Sequence, residues 1–534
     1  MTIPSLSAKT LIIEDFEGMR SVLKGICKAI GITDVEFASN GPGAIAMLSK
    51  NRYDIVICDY DLGAGPDGQQ VLEEAKSRNY VGYGCVWVIV TAEKTIAMVA
   101  SAVETKADDY LIKPVSAATL ESRLLKLISK KLSFGEIETA VNEHDYQKAI
   151  GMCDRLMQSK SSAAADLQRI KADLLLATND LEGAQALFQS VLAKRSVPWA
   201  KAGLGKVYYL RKDYARAKHL LSEALDESPV NLEAADWLAK VHEALEEADQ
   251  AQAVLQRATA LYPKSTVRQK ALADTAYRNG SLDVAQSAYE MAIKSGEHSM
   301  HKSASNYAGL AKVLTEKDDP REALQVLERG KHEFPDDAQA AAQTAVVRAM
   351  ACRKMGDRLG AEAAMQEAGE LIDGLSGAVS PGVTVDMAKT LFALGRSDEA
   401  CSLLKTLVME NHEDVAIINL VNSLLDGQHM RDAGKQMVEK SRQEVVDINN
   451  KGVLLARNGK YAEAIALLRK AVQQLPNNVV MVGNLCGILI GSMKQGGKDE
   501  ELVMEAKMLL DRVGELSPRH PKYHEYMNAL VQLE

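Results

Sequence analysis

A step of 34 residues recurs through the middle of this chain and limits what it can fold into more than any other feature. Ala217, Ala251 and Ala285 keep that step, as do Ala224, Ala258 and Ala292, and so do Leu204, Leu238 and Leu272. The small residues Gly205, Ala239 and Ala273 follow the leucines, and Pro229 and Pro263 recur at the ends of the periods. Small side chains at two fixed places let paired helices approach closely, and a proline cannot continue the second helix, so it stops it. A helix pair of this size cannot bury its apolar face alone and has to stack on its neighbours.

The unit Pro198 to Asn231, with Leu204-Gly205, Tyr208, Tyr214, Ala217, Leu221, Ala224 and Pro229, resembles the tetratricopeptide repeat (TPR). Further units are recognisable in Leu310 to Pro335, in Gly395 to Ala400, and from Gly452 through Gly459, Tyr461, Ala464, Ala471 and Pro476. Asp145-Tyr146 and Asp180-Leu181 mark the turns of two degenerate units, so about ten or eleven units are expected. The turn-rich stretch from Asp373 to Gly382 divides the expectation into one array over 131–375 and a second over 376–534 that ends in a capping helix. By resemblance, the first helix of each unit lines a concave groove. The groove candidates are Trp199, Ala202, Lys206 and Tyr209, then Glu233, Asp236, Lys240 and Glu243, then Val267, Lys270, Asp274 and Tyr277. Mixed charge with a few aromatic residues suits a peptide or a helical partner better than a phosphate backbone. The two-carboxylate clamp of chaperone-binding members is absent, because Ala202, Lys206, Trp237, Val267 and Ala271 occupy its places.

Residues 1–130 follow another pattern. Thr10-Leu11-Ile12-Ile13 precedes Glu14-Asp15, Asp54-Ile55-Val56-Ile57-Cys58 precedes Asp59, Val86-Trp87-Val88-Ile89-Val90 precedes Thr91, and Tyr110-Leu111-Ile112 precedes Lys113-Pro114. Apolar runs without alternation read as strands buried on both faces. Helical stretches between them, Arg20 to Ile30, Pro42 to Lys50, Gln69 to Arg78 and Thr95 to Thr105, argue for a doubly wound parallel sheet. Ligands of such sheets bind outside the carboxyl ends of the strands, where Glu14, Asp15, Asp59, Thr91 and Lys113 all fall. Three gathered carboxylates repel one another and favour a hard divalent cation with oxygen ligands, magnesium before manganese. A carboxylate can act as nucleophile toward a phosphoryl group, with Lys113 supplying positive charge and Thr91 a hydroxyl donor.

Over Lys9 to Lys130 these motifs, with Phe16, Arg20, Thr91-Ala92 and Ala107 to Pro114, resemble the receiver domain of two-component response regulators. The resemblance implies a flavodoxin-like five-stranded parallel sheet in a bacterial signalling protein, followed by an all-α solenoid. It makes Asp59 the phosphoacceptor for a sensor histidine kinase or a histidine phosphotransfer protein. It makes Glu14, Asp15, Asp59 and the backbone carbonyl of Asp61 the ligands of Mg2+ or Mn2+. Thr91 and Tyr110 become a coupled switch, the bond before Pro114 is expected to be cis, and a homodimer through the face that holds Tyr110 is a further implication. Two departures stand out: Glu14 replaces the commoner aspartate, and the loop Gly63 to Gly68 is one residue longer than usual.

The formal charge of −9, from 63 basic and 72 acidic residues, includes no polybasic arm, which argues against nucleic acid. Seven cysteines without a CxxC pair fit reduced thiols in a cytosolic protein. The most apolar stretch, Val479 to Ile490, is too short to span a bilayer and reads as a buried repeat helix, so no membrane insertion is expected. The junction from Ala117 to Ile150 holds no tether-like segment, so the last receiver helix should lead almost directly into the first repeat helix. The leading expectation is a non-enzymatic response regulator, phosphorylated on Asp59, whose repeats dock an output protein in a phosphorylation-dependent way. Its receiver would take phosphate from small donors and lose it slowly. A constitutive scaffold whose receiver serves for dimerisation or docking is the alternative, and a DNA-binding transcription factor ranks third.

Overall fold

Four of the apolar runs, with Val35–Ala38, become the strands of one parallel sheet: β1 (Thr10–Ile13), β2 (Val35–Ala38), β3 (Ile55–Asp59), β4 (Val86–Thr91) and β5 (Asp109–Ile112), in the order β2-β1-β3-β4-β5. In this computed structural model residues 8–92, 107–131, 134–158, 163–375, 379–497, 499–517, 520 and 522–533 are described, and the expected helix Thr95–Thr105 lies outside them. Every residue of β1, β3 and β4 is buried, as their unbroken apolar character requires. Side chains alternate between the two sheet faces. Leu11, Ile13, Val56, Cys58, Trp87 and Ile89 pack with α2 (Gly41–Lys50) and α3 (Gly68–Ser77). Ile12, Ile55, Ile57, Val86, Val88 and Val90 pack with α1 (Glu17–Ala29) and α4 (Ala117–Lys131) on the other face. In-register pairing sets Ile13 beside Cys58 and Asp59 beside Val90, which brings the strand ends to one edge.

The chain divides into two compact units, Met1–Gly309 and Leu310–Glu534. In the first, the sheet is followed by antiparallel helix pairs: α5 (Gly135–Asn142) with α6 (Tyr146–Gln158), α7 (Ala164–Ala177) with α8 (Leu181–Leu192), α9 (Pro198–Leu210) with α10 (Tyr214–Glu227), α11 (Leu232–Ala244) with α12 (Ala248–Leu261), and α13 (Thr266–Arg278) with α14 (Leu282–Gly296). The periodic small residues are where helices touch. A Cβ on Gly205 would stand 2.6 Å from Leu221 Cγ, and one on Gly203 would stand 2.3 Å from Phe188 Cζ. Turns within the pairs repeat too: His144, Asn179, Lys212, Glu246 and Gly280 all take positive φ. At Lys212 the N–H bonds the Tyr209 carbonyl at 2.9 Å and the next N–H bonds the Tyr208 carbonyl at 2.9 Å, closing the helix end.

The second unit continues the pattern, from Pro320–Glu333 to Tyr523–Leu533, with positive-φ turns at Asp318, Gly356, Gly395, His429 and Gly459. One helix departs from it. Arg431–Arg457 runs without a break for 27 residues, so the second helix of one pair and the first of the next are fused. The turn-rich stretch expected as a joint separates Arg358–Asp373 from Pro381–Ala393 inside this unit, with residues 376–378 outside the described ones. The apolar helix extends over Val479–Gly496, and among the described residues it is the one long and apolar enough to cross a membrane; half of it is buried inside the protein.

Candidate functional site

Each acidic group at the sheet edge is held by the element that ends there. The Arg20 guanidinium, from the first turn of α1, donates to the backbone carbonyls of Glu14 at 2.7 Å and Asp15 at 2.8 Å and so fixes the turn after β1. The Lys113 N–H donates to the Thr91 carbonyl at 2.7 Å, which ties the end of β5 to the end of β4. The Lys113–Pro114 bond is cis. From there the Lys113 ammonium reaches Asp59 Oδ2 at 2.6 Å and Glu14 Oε2 at 3.0 Å.

Carboxylate oxygens of Glu14, Asp15 and Asp59 all lie within 4.8 Å of one another, with Glu14 and Asp59 buried and Asp15 exposed. Burial raises the Glu14 carboxyl above its ordinary value of 4.5; the Asp59 charge adds to the rise and the Lys113 hydrogen bond opposes it. For Lys113, burial works to lower the ammonium, but the hydrogen bonds it donates to Asp59 and Glu14, with their negative charges, outweigh it and the group is raised. Three carboxylates against one ammonium leave an excess of negative charge in a partly dry pocket, and oxygen-only donors of this kind suit a magnesium-like ion. The donor set therefore fits the expected metal. The Asp61 carboxylate accepts from the Gly63 N–H at 3.1 Å, so its side chain serves the turn. Thr91 is buried at the edge, and Tyr110 lies half-buried one strand away, in the first half of β5.

The groove candidates are engaged mainly with other residues of the repeats. Tyr209 stands edge-on to Trp237 at 5.2 Å, and the Lys206 and Lys240 ammoniums lie 5.2 and 4.3 Å from the Trp237 ring centre. Trp199 packs against Phe188 at 6.0 Å, with the Arg169 guanidinium 5.3 Å away. Asp236 takes Arg268 in a two-pronged pair at 2.7 and 2.8 Å, and the Arg268 side chain is almost wholly buried. Asp274 accepts from Lys270 at 2.6 Å and from the Tyr289 hydroxyl at 2.5 Å. Val267 is 56% exposed, an open apolar spot on the same surface. Sequence reasoning missed Arg268 and Lys264. The pairing of Arg268 with Asp236 skips 32 residues, near one repeat period, and that near-period spacing was the available signal.

The comparisons with known proteins agree with this geometry. Residues 10–125 match the response regulator receiver domain family, and tetratricopeptide repeat families match 208–275 as well as 169–229, 270–338 and 449–479. The chain is thus a response regulator receiver domain joined to a long run of tetratricopeptide repeats. The chemotaxis protein CheY-3 of Vibrio cholerae is 29% identical over 122 residues, 23% of this chain and 92% of that protein. The chemotaxis protein CheY of Pseudomonas aeruginosa is 26% identical over 23% of this chain and 97% of its own length. Among solved structures, a two-component response regulator from Clostridium difficile is 29% identical, covering 23% of this chain and 96% of its own, with a TM-score of 0.21.

Proposed function

We propose that this protein is a two-component response regulator whose Asp59 carboxylate accepts a phosphoryl group and whose repeats bind an output protein according to that modification. The observation that carries the reading is the contact of Asp59 with Lys113 at 2.6 Å, beside Glu14 and Asp15, at the carboxyl edge of a receiver sheet. In the transfer, Asp59 Oδ forms the new bond to phosphorus. The bond from phosphorus to the donor nitrogen of a kinase or phosphotransfer histidine breaks, and its electron pair stays on that nitrogen. Lys113 then pairs with a phosphoryl oxygen, and Thr91 donates its hydroxyl to another. A magnesium ion held by Glu14, Asp15, Asp59 and the Asp61 carbonyl would neutralise charge on the transferring oxygens. Thr91 and Tyr110 are the proposed switch pair, with Pro114 shaping the turn that follows Lys113. Small phosphodonors serve the same acceptor, and self-hydrolysis ends the signal.

The test is transfer of labelled phosphate from a small donor or a phosphorylated histidine domain. Wild type takes up acid-stable, base-labile label only with a divalent cation, and Asp59→Asn takes up none. Label that persists in Asp59→Asn refutes the site. A partner captured equally by beryllofluoride-treated protein and by Asp59→Asn favours the constitutive scaffold.

A further inference from the structure

Among the described residues of the first unit, the receiver touches the repeats in two places. One adjoins the covalent junction. Glu138 on α5 accepts from the Gly84 N–H at 3.1 Å, and its carboxylate fills the space that a side chain at Gly82 would need. Lys130 pairs with Asp166 at 2.5 Å, and Tyr83 packs on the apolar core of the repeats. The other contact joins residues 197 positions apart in sequence. Lys264, in the loop between α12 and α13, sets its ammonium 2.9 Å from Asp67 Oδ2 and 5.0 Å from the centre of the Tyr60 ring. Gln70 Nε2 donates to the Ser295 carbonyl, at the end of α14, at 3.2 Å. Beside this contact lies a cavity of ≈ 290 Å³, lined by Gln70 and Glu73 of the receiver and by Lys240, Val267, Arg268 and His301 of the repeats.

Lys264 grips both ends of the loop that begins at the acceptor. Tyr60 directly follows Asp59, and Asp67 closes the loop as the cap of α3, accepting from the Gln70 N–H at 3.0 Å while Gln70 Oε1 accepts from the Asp67 N–H at 3.0 Å. The loop is laced across its base. The Gly68 N–H donates to the Tyr60 carbonyl at 2.9 Å, and the Cys58 thiol donates to the Asp59 carbonyl at 3.2 Å. A Cβ on Gly68 would stand 2.0 Å from the Asp59 carbonyl oxygen. A displacement at Asp59 is therefore passed to Tyr60 and Asp67 instead of being absorbed between them. The loop is docked while Asp59 Oδ2 pairs with Lys113 at 2.6 Å, the pairing of an unmodified carboxylate.

We propose that the acceptor loop is an intramolecular ligand of the repeat groove at Lys264, and that phosphorylation of Asp59 releases it. Release frees Lys264 and opens the cavity that Lys240 and Val267 line to an output protein that offers the same chemistry, a helix N-terminus capped by a carboxylate. This regulation rests on the function proposed above. One ion pair to a half-exposed lysine, one cation–π contact and one hydrogen bond hold the loop by a factor of about 5 to 30, small enough to be reversed by a modification.

Zero-length carbodiimide coupling of the full chain tests the proposal, because it joins only amines and carboxylates already in contact. Three products matter: Asp59–Lys113 reports an empty acceptor site, Asp67–Lys264 reports the docked loop, and Asp166–Lys130 reports the junction. Beryllofluoride with magnesium should abolish the first, reduce the second at least about fivefold and leave the third. In Asp59→Asn it should leave the second and third unchanged. By reciprocity, Lys264→Glu should tighten beryllofluoride binding by up to about 30-fold, and Lys264→Arg, which keeps the ion pair, should bind it as wild type does. The proposal is overturned if Asp67–Lys264 does not form in untreated protein, or if it persists when Asp59–Lys113 has disappeared. An Asp59–Lys113 product that survives beryllofluoride instead defeats the phosphoacceptor reading, and this inference with it.

Discussion

Replacing Lys113 by methionine keeps the length of the side chain and removes its charge, which makes it a sharp test of how the acidic edge is held together. At an effective dielectric constant of about 20, the ammonium attracts each of its two carboxylates by about 5–6 kcal/mol, while the Glu14–Asp59 repulsion is at least about 3.5 kcal/mol. The variant loses the attraction and keeps the repulsion between two buried anions. The repulsive part of that loss is capped, because the folded protein can escape it by protonating Glu14. That escape costs about 1.36 kcal/mol per pH unit, or about 3.4 kcal/mol at pH 7 counted from the ordinary glutamate value of 4.5. The expected loss is about 3–5 kcal/mol at pH 7 without divalent cation. Its sign with pH is fixed. Glu14 is already raised by burial and rises further in the variant, and a raised carboxyl group contributes stability below its unfolded pKa that is lost as pH rises through the folded one. The deficit should therefore be smaller at acid pH than at neutrality, and grow as pH rises. Hydrogen exchange of the β1 and β3 amides in the full chain measures it locally, without assuming that so large a protein unfolds in one step. A deficit independent of pH, or one that millimolar magnesium fails to reduce, would refute the electrostatic account.

Gly68→Ala should destabilise the receiver by about 3 kcal/mol or more, because the new methyl meets the Asp59 carbonyl oxygen at 2.0 Å; faster exchange confined to β3 and α3 checks it. Lys212→Gly should stabilise its repeat by about 0.5–1 kcal/mol, since Lys212 holds a φ of 61° that glycine adopts freely; slower exchange in α9 and α10 is the readout. His412 is lowered by burial and accepts from the Asn478 amide at 3.1 Å, so it resists protonation when folded. The stability it supports is present above the unfolded value of 6.5 and lost as pH falls through the lower folded value, so exchange of the Val479–Gly496 helix should quicken below pH 6.5 in wild type and not in His412→Gln.

How much of this could be seen in the sequence follows the range of each interaction. The strands announced themselves because burial on both faces forces unbroken β-branched runs, and the site followed because sheet topology gathers strand ends. The repeats announced themselves because Gly205 and Leu221 must touch in every unit of their kind. The Lys264–Asp67 contact had no such signal: it depends on where a folded receiver rests against folded helices, and no periodicity links position 67 with 264. The fusion at Arg431–Arg457 was hidden for a different reason. Helix propensity and apolar spacing continue smoothly there, so only the missing turn tells one long helix from two. The groove candidates lie on the first helices of their pairs, and charged residues of successive repeats pair with each other there, as Asp236 does with Arg268 and Glu243 with Arg278, a contact that no single repeat's sequence displays.

That internal pairing bears on what the groove can recognise. A ligand carboxylate aimed at Arg268 would have to displace Asp236, and one aimed at Lys270 would have to displace Asp274, each at the cost of breaking a partly desolvated pair. Binding energy has to come instead from groups whose satisfaction in the groove is incomplete: the exposed Val267, the Lys240 ammonium resting on the Trp237 face, and Lys264 at the rim. Lys240, Val267 and Lys264 are also among the residues that line the cavity beside Gln70 and Glu73 of the receiver. On the proposed reading, these incompletely satisfied groups lie in the part of the candidate groove that the receiver stands against. A weak contact placed there controls access more effectively than a strong one placed elsewhere, because it need only compete with a ligand for the same few groups.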